Sequence, residues 1–272
     1  MRSYKIQDVG TDLDGRQEQY WDKKLRPKYE RWRPGFRFKF KDPKQIIKEH
    51  GFIALEFGHW TDQNERFDFL AAADASFADM KKVTGLKSLG MKKIGLAYGA
   101  RGKGGSAAAH FEPHSFMINL TKTKGMGSFA HEYGHALDYF FGGFIDQDPA
   151  SFSLSGGDRT ARQLTDKFPA GTLRYLMNKV ITAIIFEKPG KLSSSYEAFL
   201  KAGSDYWYQR NEMFARAFEQ WVHHQLSKKK IHNAMLTKTK YTARVYLTTK
   251  DFKRVLPHMN KLIRAMAAKT KK

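Results

Sequence analysis

The sequence predicts an α+β fold, with a small mixed sheet in its first half and longer helices around it. Three observations carry this reading. Short apolar segments of strand length, "GFIALEFGHW", "KKIGLAYG" and "HFEPHSFMINLT", lie between residues 51 and 121. Longer segments with helical spacing of apolar residues follow or separate them, among them "TLRYLMNKVITAIIFE" and "NEMFARAFEQWVHHQL". Between the two groups, directly after two neighbouring strands, stands "GSFAHEYGHALDYFF", residues 127–141.

The elements follow in order. "PKQIIKEHG" reads as a short helix ending at Gly51. "GFIALEFGHW" is the first strand. "TDQNERFDFLAAADASFADMKKVTG" is a helix with Thr61 as N-cap and Gly85 near its end. "KKIGLAYG" is the second strand and "ARGKGG" a glycine-rich turn. The third strand, "HFEPHSFMINLT", is broken at Pro113, which places it at an edge. The second and third strands then form a hairpin. "GARGKGG" is no phosphate loop, since it lacks the four-residue spacing and the Lys-Ser/Thr ending. The helix after it has Ser128 as N-cap. Residues 142–171 are loop-rich, 172–187 helical, and 188–210 a mobile connection. A helix over 211–226 follows. The tail reads as a short strand, "YTARVYLT", and a closing helix, "TKDFKRVLPHMNKLIRAMAAK".

Charge divides the chain. Of the +21 formal charge, residues 1–50 hold 14 Lys/Arg against 8 Asp/Glu, a net of +6. Residues 51–227 are near neutral at +2, with 20 against 18. Residues 228–272 hold 14 against 1, a net of +13. The expected organisation is therefore a basic, aromatic-rich extension (1–50), a catalytic domain (51–227) and a basic extension with a terminal helix (228–272). Such a tail either contacts a polyanion, most often nucleic acid, or is a solvated surface. Aromatics between cations in "YWDKKLRPKYERWRPGFRFKF" either stack on bases or pack the arm onto the main domain.

No apolar run reaches the ~18 residues of a membrane span. "KVITAIIFEK" is too short and flanked by charge. The N-terminus lacks an apolar core, so no secretory signal and no membrane partner are expected. The chain has no cysteine, so a metal would sit on His, Asp or Glu.

"HEYGH" is a His-Glu-x-x-His pattern. Residues four apart share a helix face, so His131 and His135 can turn their imidazoles to one Zn²⁺. Glu132 stands beside them as general base for a zinc-bound water. The opposing reading is a core helix with two satisfied histidines. A catalytic zinc needs a third protein ligand and an open position. A third histidine six residues past His135 is excluded, because Phe141 stands there. "NEMFARAFEQ" offers Glu212 as the third ligand, with Glu219 as its rival, a supporting carboxylate or a partner of Arg216. His110, His114 and Asp138 are further rivals. Tyr206, in "SDYWYQRNE", is the candidate donor to the carbonyl oxygen of a substrate, or else a rim aromatic. "SFMINL" is expected at the sheet edge, where an extended peptide can pair.

"HEYGH" followed by the acid of "NEMFARAFE" resembles the gluzincin arrangement of zincin metallopeptidases. The block "LAYGARGKGGSAAAHFEPHSFMINLTKTKGMGSFAHEYGHALDYF" and the later "YWYQRNEMFARAFEQWV" are similar to the metallopeptidase domain of large polyvalent proteins of phages and conjugative elements. The similarity spans Gly51 to Val222, is specific around His110–Asp138 and Tyr206–Glu219, and is weak in the arm and the tail. It implies a zincin-like fold with zinc on His131, His135 and Glu212 and Glu132 as base. It also implies a protein or peptide substrate met in the cytoplasm of a bacterium, after delivery with foreign DNA. The alternative from a different class is a nucleic-acid-binding protein with a structural or degenerate zincin core.

Overall fold

A computed structural model describes residues 29–39, 43–58, 60–100, 108–148, 151–160 and 168–270. The readings of residues 1–28 and of the 101–107 turn lie outside these. Contacts divide the chain into two compact units, one of residues 1–132 and 225–238, the other of residues 133–224 and 239–272.

The first unit holds a four-stranded mixed sheet, ordered β1 (Leu55–Phe57), β2 (Gly95–Tyr98), β4 (Met117–Leu120), β3 (Ala109–Glu112). β1, β2 and β4 run parallel, and β3 pairs antiparallel with β4. Every residue of β2 and β4 is buried, as expected for parallel strands covered on both faces. Helix α1 (Pro43–His50) precedes β1, and helix α2 (Gln63–Thr84) makes the crossover from β1 to β2. α2 starts on a capping box: Glu65 N–H donates to Asp62 Oδ1 and Asp62 N–H to Glu65 Oε2, each at 2.9 Å. It ends at Gly85, whose φ of 75° is the left-handed conformation a C-cap favours. Phe69 stacks on Tyr98 at 4.1 Å, and Phe77 meets Phe52 and Phe129, which ties α2 to strand and helix start alike. The described part of the N-terminal arm packs here too. Arg33 pairs with Asp79, and Phe38 meets Phe67 edge-on.

Residues 225–238 return to this unit and serve the start of helix α3 (Phe129–Phe140). Gly127 N–H donates to Met235 O and Ala130 N–H to Leu236 O, so unpaired donors at the helix start are satisfied by a distant loop. Asn233 fixes that loop, accepting from Ser76 and donating to Asp79.

The second unit is mainly helical. α3 runs on into a π-helical turn, Phe141–Ile145. Helix α4 (Leu173–Ile185) packs along helix α7 (Thr249–Lys269). Between them in sequence come the β5–β6 hairpin (Phe186–Lys188, Lys191–Leu192), helix α5 (Ser194–Leu200), a 3₁₀ turn (Asp205–Tyr208) and helix α6 (Arg210–Lys228). Arg174 of α4 pins the 142–153 loop, donating to the carbonyls of Asp146, Ser153, Gly142 and Ser151. Asp251 of α7 accepts from Ser194 Oγ, Ser195 N–H and Ser195 Oγ at 2.6–2.8 Å, which joins the first turns of α5 and α7.

Several expectations are corrected. The N-cap of α2 is Asp62, since a carboxylate reaches the N3 amide while Thr61 Oγ1 is taken by Gly58 O. "HFEPHSFMINLT" is two strands, because Pro113 sits in a turn that folds β3 back onto β4. The hairpin is therefore β3–β4, and β2 pairs in parallel with β4. "SFMINL" lies inside the sheet, with β3 outside it. Residues 188–210 carry a hairpin, a helix and a turn. "YTARVYLT" forms turns, because Gln220 of α6 takes its backbone in place of a strand: Gln220 Nε2 donates to Leu247 O, and Leu247 N–H donates to Gln220 Oε1.

Candidate metal centre

Helix α3 carries His131 and His135 one turn apart, with Glu132 directly after His131. α6 comes very close to it. A Cβ on Gly134 would stand 3.1 Å from Ala215 Cα and 3.3 Å from Phe218 Cδ1, so glycine is what lets the two backbones approach. Tyr133, Phe214, Phe218 and Trp221 fill the space around this crossing.

The crossing sets the first turn of α6 against His135. His135 Nε2 lies 3.2 Å from Glu212 Oε1, and both residues are buried, at 8% and 6% exposure. His131 is half-buried one turn earlier on the same uninterrupted helix. One donor atom from each of His131, His135 and Glu212 lies within 4.8 Å of the other two. Glu132 is buried between the histidines in sequence.

The other oxygen of Glu212 faces Arg216, 3.7 Å away and one turn on. Burial pushes the Arg216 guanidinium down from its ordinary pKa, and the Glu212 charge pushes it back up. Arg216 also donates to Trp207 O and stands over the rings of Phe199 and Trp207. Glu212 thus has one carboxylate oxygen at His135 and the other toward the Arg216 guanidinium.

The rivals are placed elsewhere. Glu219 is fully buried and accepts from Tyr246 O–H at 2.8 Å. Burial, then the Glu219 charge, raises the Tyr246 pKa. Asp138 is fully buried. It accepts from Ser155 N–H at 2.8 Å and Ser155 Oγ at 2.6 Å. Burial raises its pKa, the two Ser155 bonds oppose this, and His135 is close enough to oppose it too. His110 pairs with Glu112 on β3 at 3.1 Å, and His114 is exposed in the following turn. Tyr206 is 43% exposed on the 3₁₀ turn, edge-on to Trp207, within electrostatic reach of Arg216.

Arg216 as partner of Glu212 was signalled in the sequence by i,i+4 spacing, but Glu219 competed for it there. Nothing in the sequence signals Ser155 or Tyr246, which come from loops.

The donor set fits zinc chemically. Two imidazoles and one carboxylate are an established catalytic set for Zn²⁺. With bonds of roughly 2.1 Å, tetrahedral donors stand about 3.4 Å apart, and the His135–Glu212 separation of 3.2 Å matches that spacing.

Residues 198–270 match the family described as Large polyvalent protein-associated domain 1. The match takes in α6 and α7, so it includes Tyr206, Glu212 and the basic tail but neither histidine of α3. It links this chain to large polyvalent proteins. No curated protein and no solved structure matches the chain.

Proposed function

We propose that the chain is a zinc-dependent metallopeptidase with a zincin-like catalytic region. The observation that supports this most is the convergence of Glu212, which stands on a helix well downstream in the sequence, on the two histidines of the His-Glu-x-x-His turn. His131, His135 and Glu212 would hold the ion. A bound zinc would supply Lewis acidity for the carbonyl and lower the pKa of water toward ~7. Glu132 takes a proton from the attacking water and returns it to the leaving amine, which asks only for a carboxylate next to the ligands. Arg216 holds Glu212 in orientation through the second carboxylate oxygen. Tyr206 is the nearest candidate in sequence to donate to the developing oxyanion. The link to large polyvalent proteins supports a setting in which the enzyme travels with mobile DNA and acts on protein inside a bacterial host.

A second reading has an observation in its favour. A protonated His135 and an ionised Glu212 at 3.2 Å form a metal-free ion pair. Elemental analysis of protein purified without chelator separates the two. The peptidase reading expects about one zinc per chain in the wild type, the occupancy of a three-ligand site, and loss of it in His131→Ala. Wild type with less than about a tenth of an equivalent would overturn it. Glu132→Gln should keep its zinc and lose cleavage of any protein that the wild type cuts.

A further inference from the structure

Helices α4 and α7 lie against each other in the second unit, and their combined surface is one-sided in charge. Between them the two helices contain a single carboxylate, Asp251, which is 1% exposed and consumed by Ser194, Ser195 and Arg254. Against this, Lys179 of α4 and Lys253, Lys261 and Arg264 of α7 are all exposed. None of these four has an ion-pair partner among the described residues. At 100° per residue, Lys253, Lys261 and Arg264 fall within roughly 80° of arc and span about 16 Å of helix axis.

A third helical position reports on that field. His258, between Lys253 and Lys261, is held below its ordinary pKa by burial and then by Lys261 and Lys179. The two lysines, from different helices, press on one imidazole, and no acid is among the charges that act on it. Soluble surfaces ordinarily intersperse both signs. Here Glu187 pairs with Lys250 at the start of α7, and among the described residues no carboxylate pairs with the other four cations.

We propose that this face, set by Lys179, Lys253, Lys261 and Arg264, docks on the phosphate backbone of duplex DNA. Three features favour that partner over other polyanions. The apolar side of α7 (Val255, Met259, Leu262, Ile263 and Met266) is buried, so the helix has nothing to insert into a lipid surface. No aromatic of α4 or α7 is among the exposed large side chains, so the face offers unpaired bases no stacking platform. Cations held on one rigid helix suit a rigid array of charge, one phosphate per ~1.7 Å of duplex axis. The contacts are to backbone alone, so binding has no sequence preference.

The test uses the full chain and a fluorescently labelled random-sequence duplex, with anisotropy read between about 50 and 200 mM salt. Wild type should bind, and log K should fall steeply with log salt. In the K179Q/K253Q/K261Q/R264Q protein the slope should be shallower by about three to four, near 0.9 for each phosphate contact removed. All four side chains are exposed, so its melting curve should match wild type. If it does not, K253Q/R264Q repeats the test with an expected slope change of about two. A duplex-binding wild type whose slope is unmoved by these substitutions places the contact elsewhere and overturns the proposal, as does a wild type that does not bind. Equal or tighter binding to phosphatidylserine vesicles, or to the same DNA single-stranded, overturns the choice of partner. NMR gives an independent readout: the duplex should raise the His258 pKa by neutralising the two lysines, and an unmoved midpoint counts against the contact. His131→Ala should bind duplex like wild type, which separates this face from the metal centre.

Discussion

Replacing Gly134 by alanine tests whether the helix crossing sets the metal centre. The new methyl would lie 3.1 Å from Ala215 Cα, 3.3 Å from Phe218 Cδ1 and 3.5 Å from Ala215 Cβ. The phenyl ring can turn, but a backbone Cα cannot, so α6 must move away by a few tenths of an ångström. Two terms oppose each other in stability. Alanine in place of glycine inside a helix gains about 1 kcal/mol. Overpacking a tight contact costs about 1–3 kcal/mol. The net loss lies between about zero and 2 kcal/mol, which at this chain length lowers Tm by at most about 8 °C. The effect on metal should be larger in proportion. Ligand distances are tolerated to about ±0.2 Å, and Glu212 sits on the displaced helix, so zinc affinity should fall at least about tenfold. Chelator competition and a thermal melt measure both. Gly143→Ala is the control, since its Cβ would meet only Phe152 O at 3.6 Å and its zinc should be unchanged. A Gly134→Ala protein that melts higher and holds zinc as tightly as wild type would refute the idea that this contact sets the ligand spacing.

Two further substitutions divide the carboxylates. Glu212→Gln should lose zinc by at least about tenfold, whereas Glu219→Gln should retain it and lose only stability, because Glu219 accepts from Tyr246. Equal zinc loss in both would remove Glu212 as the specific ligand. Asp251 governs acid stability in the second unit. Burial pushes its pKa up, but hydrogen bonds from Ser195, Ser194 and Arg254 outweigh that and hold it at about 2. Its folded pKa is thus below its unfolded one. The stability it lends is fully present above about pH 4 and should be lost as the pH falls toward 2. Asp251→Asn should cost about 3 kcal/mol at neutral pH and flatten that acid limb; an unchanged limb in a denaturant titration against pH rules this account out.

The readable part of the fold is the part that local rules set. α2, α4, α6 and α7 stand where the 3.6-residue pattern put them: α4 and α7 each bury one face, α2 and α6 are buried nearly all round, and α2, α4 and α7 are capped by the neighbouring Asp62, Thr172 and Thr248. Strand partners were misread for a physical reason. Nothing in "KKIGLAYG" states whether its neighbour runs parallel or antiparallel, and a proline inside an apolar run marks an edge or a turn equally well. "YTARVYLT" alternates like a strand, but Gln220 and Glu219 of α6 take up its polar groups instead.

The candidate site divides along the same line. The His-Glu-x-x-His helix is wholly local. Its spacing alone puts both imidazoles on one face, and its own glycine and alanines mark where another helix can approach. That α6 is the helix which comes, and that Glu212 rather than Glu219 faces His135, follows from a crossing at Gly134 and Ala215. Periodicity gives the faces of a helix, but not which face meets which neighbour. The sequence by itself therefore determined the chemistry offered: two imidazoles, a base beside them, no thiol, and a strongly cationic tail. Only the tertiary structure decided which carboxylate faces His135, and that Lys179 of α4 and Lys261 of α7 both act on His258 with neither paired to an acid among the described residues, because both depend on residues far apart in the chain being packed side by side.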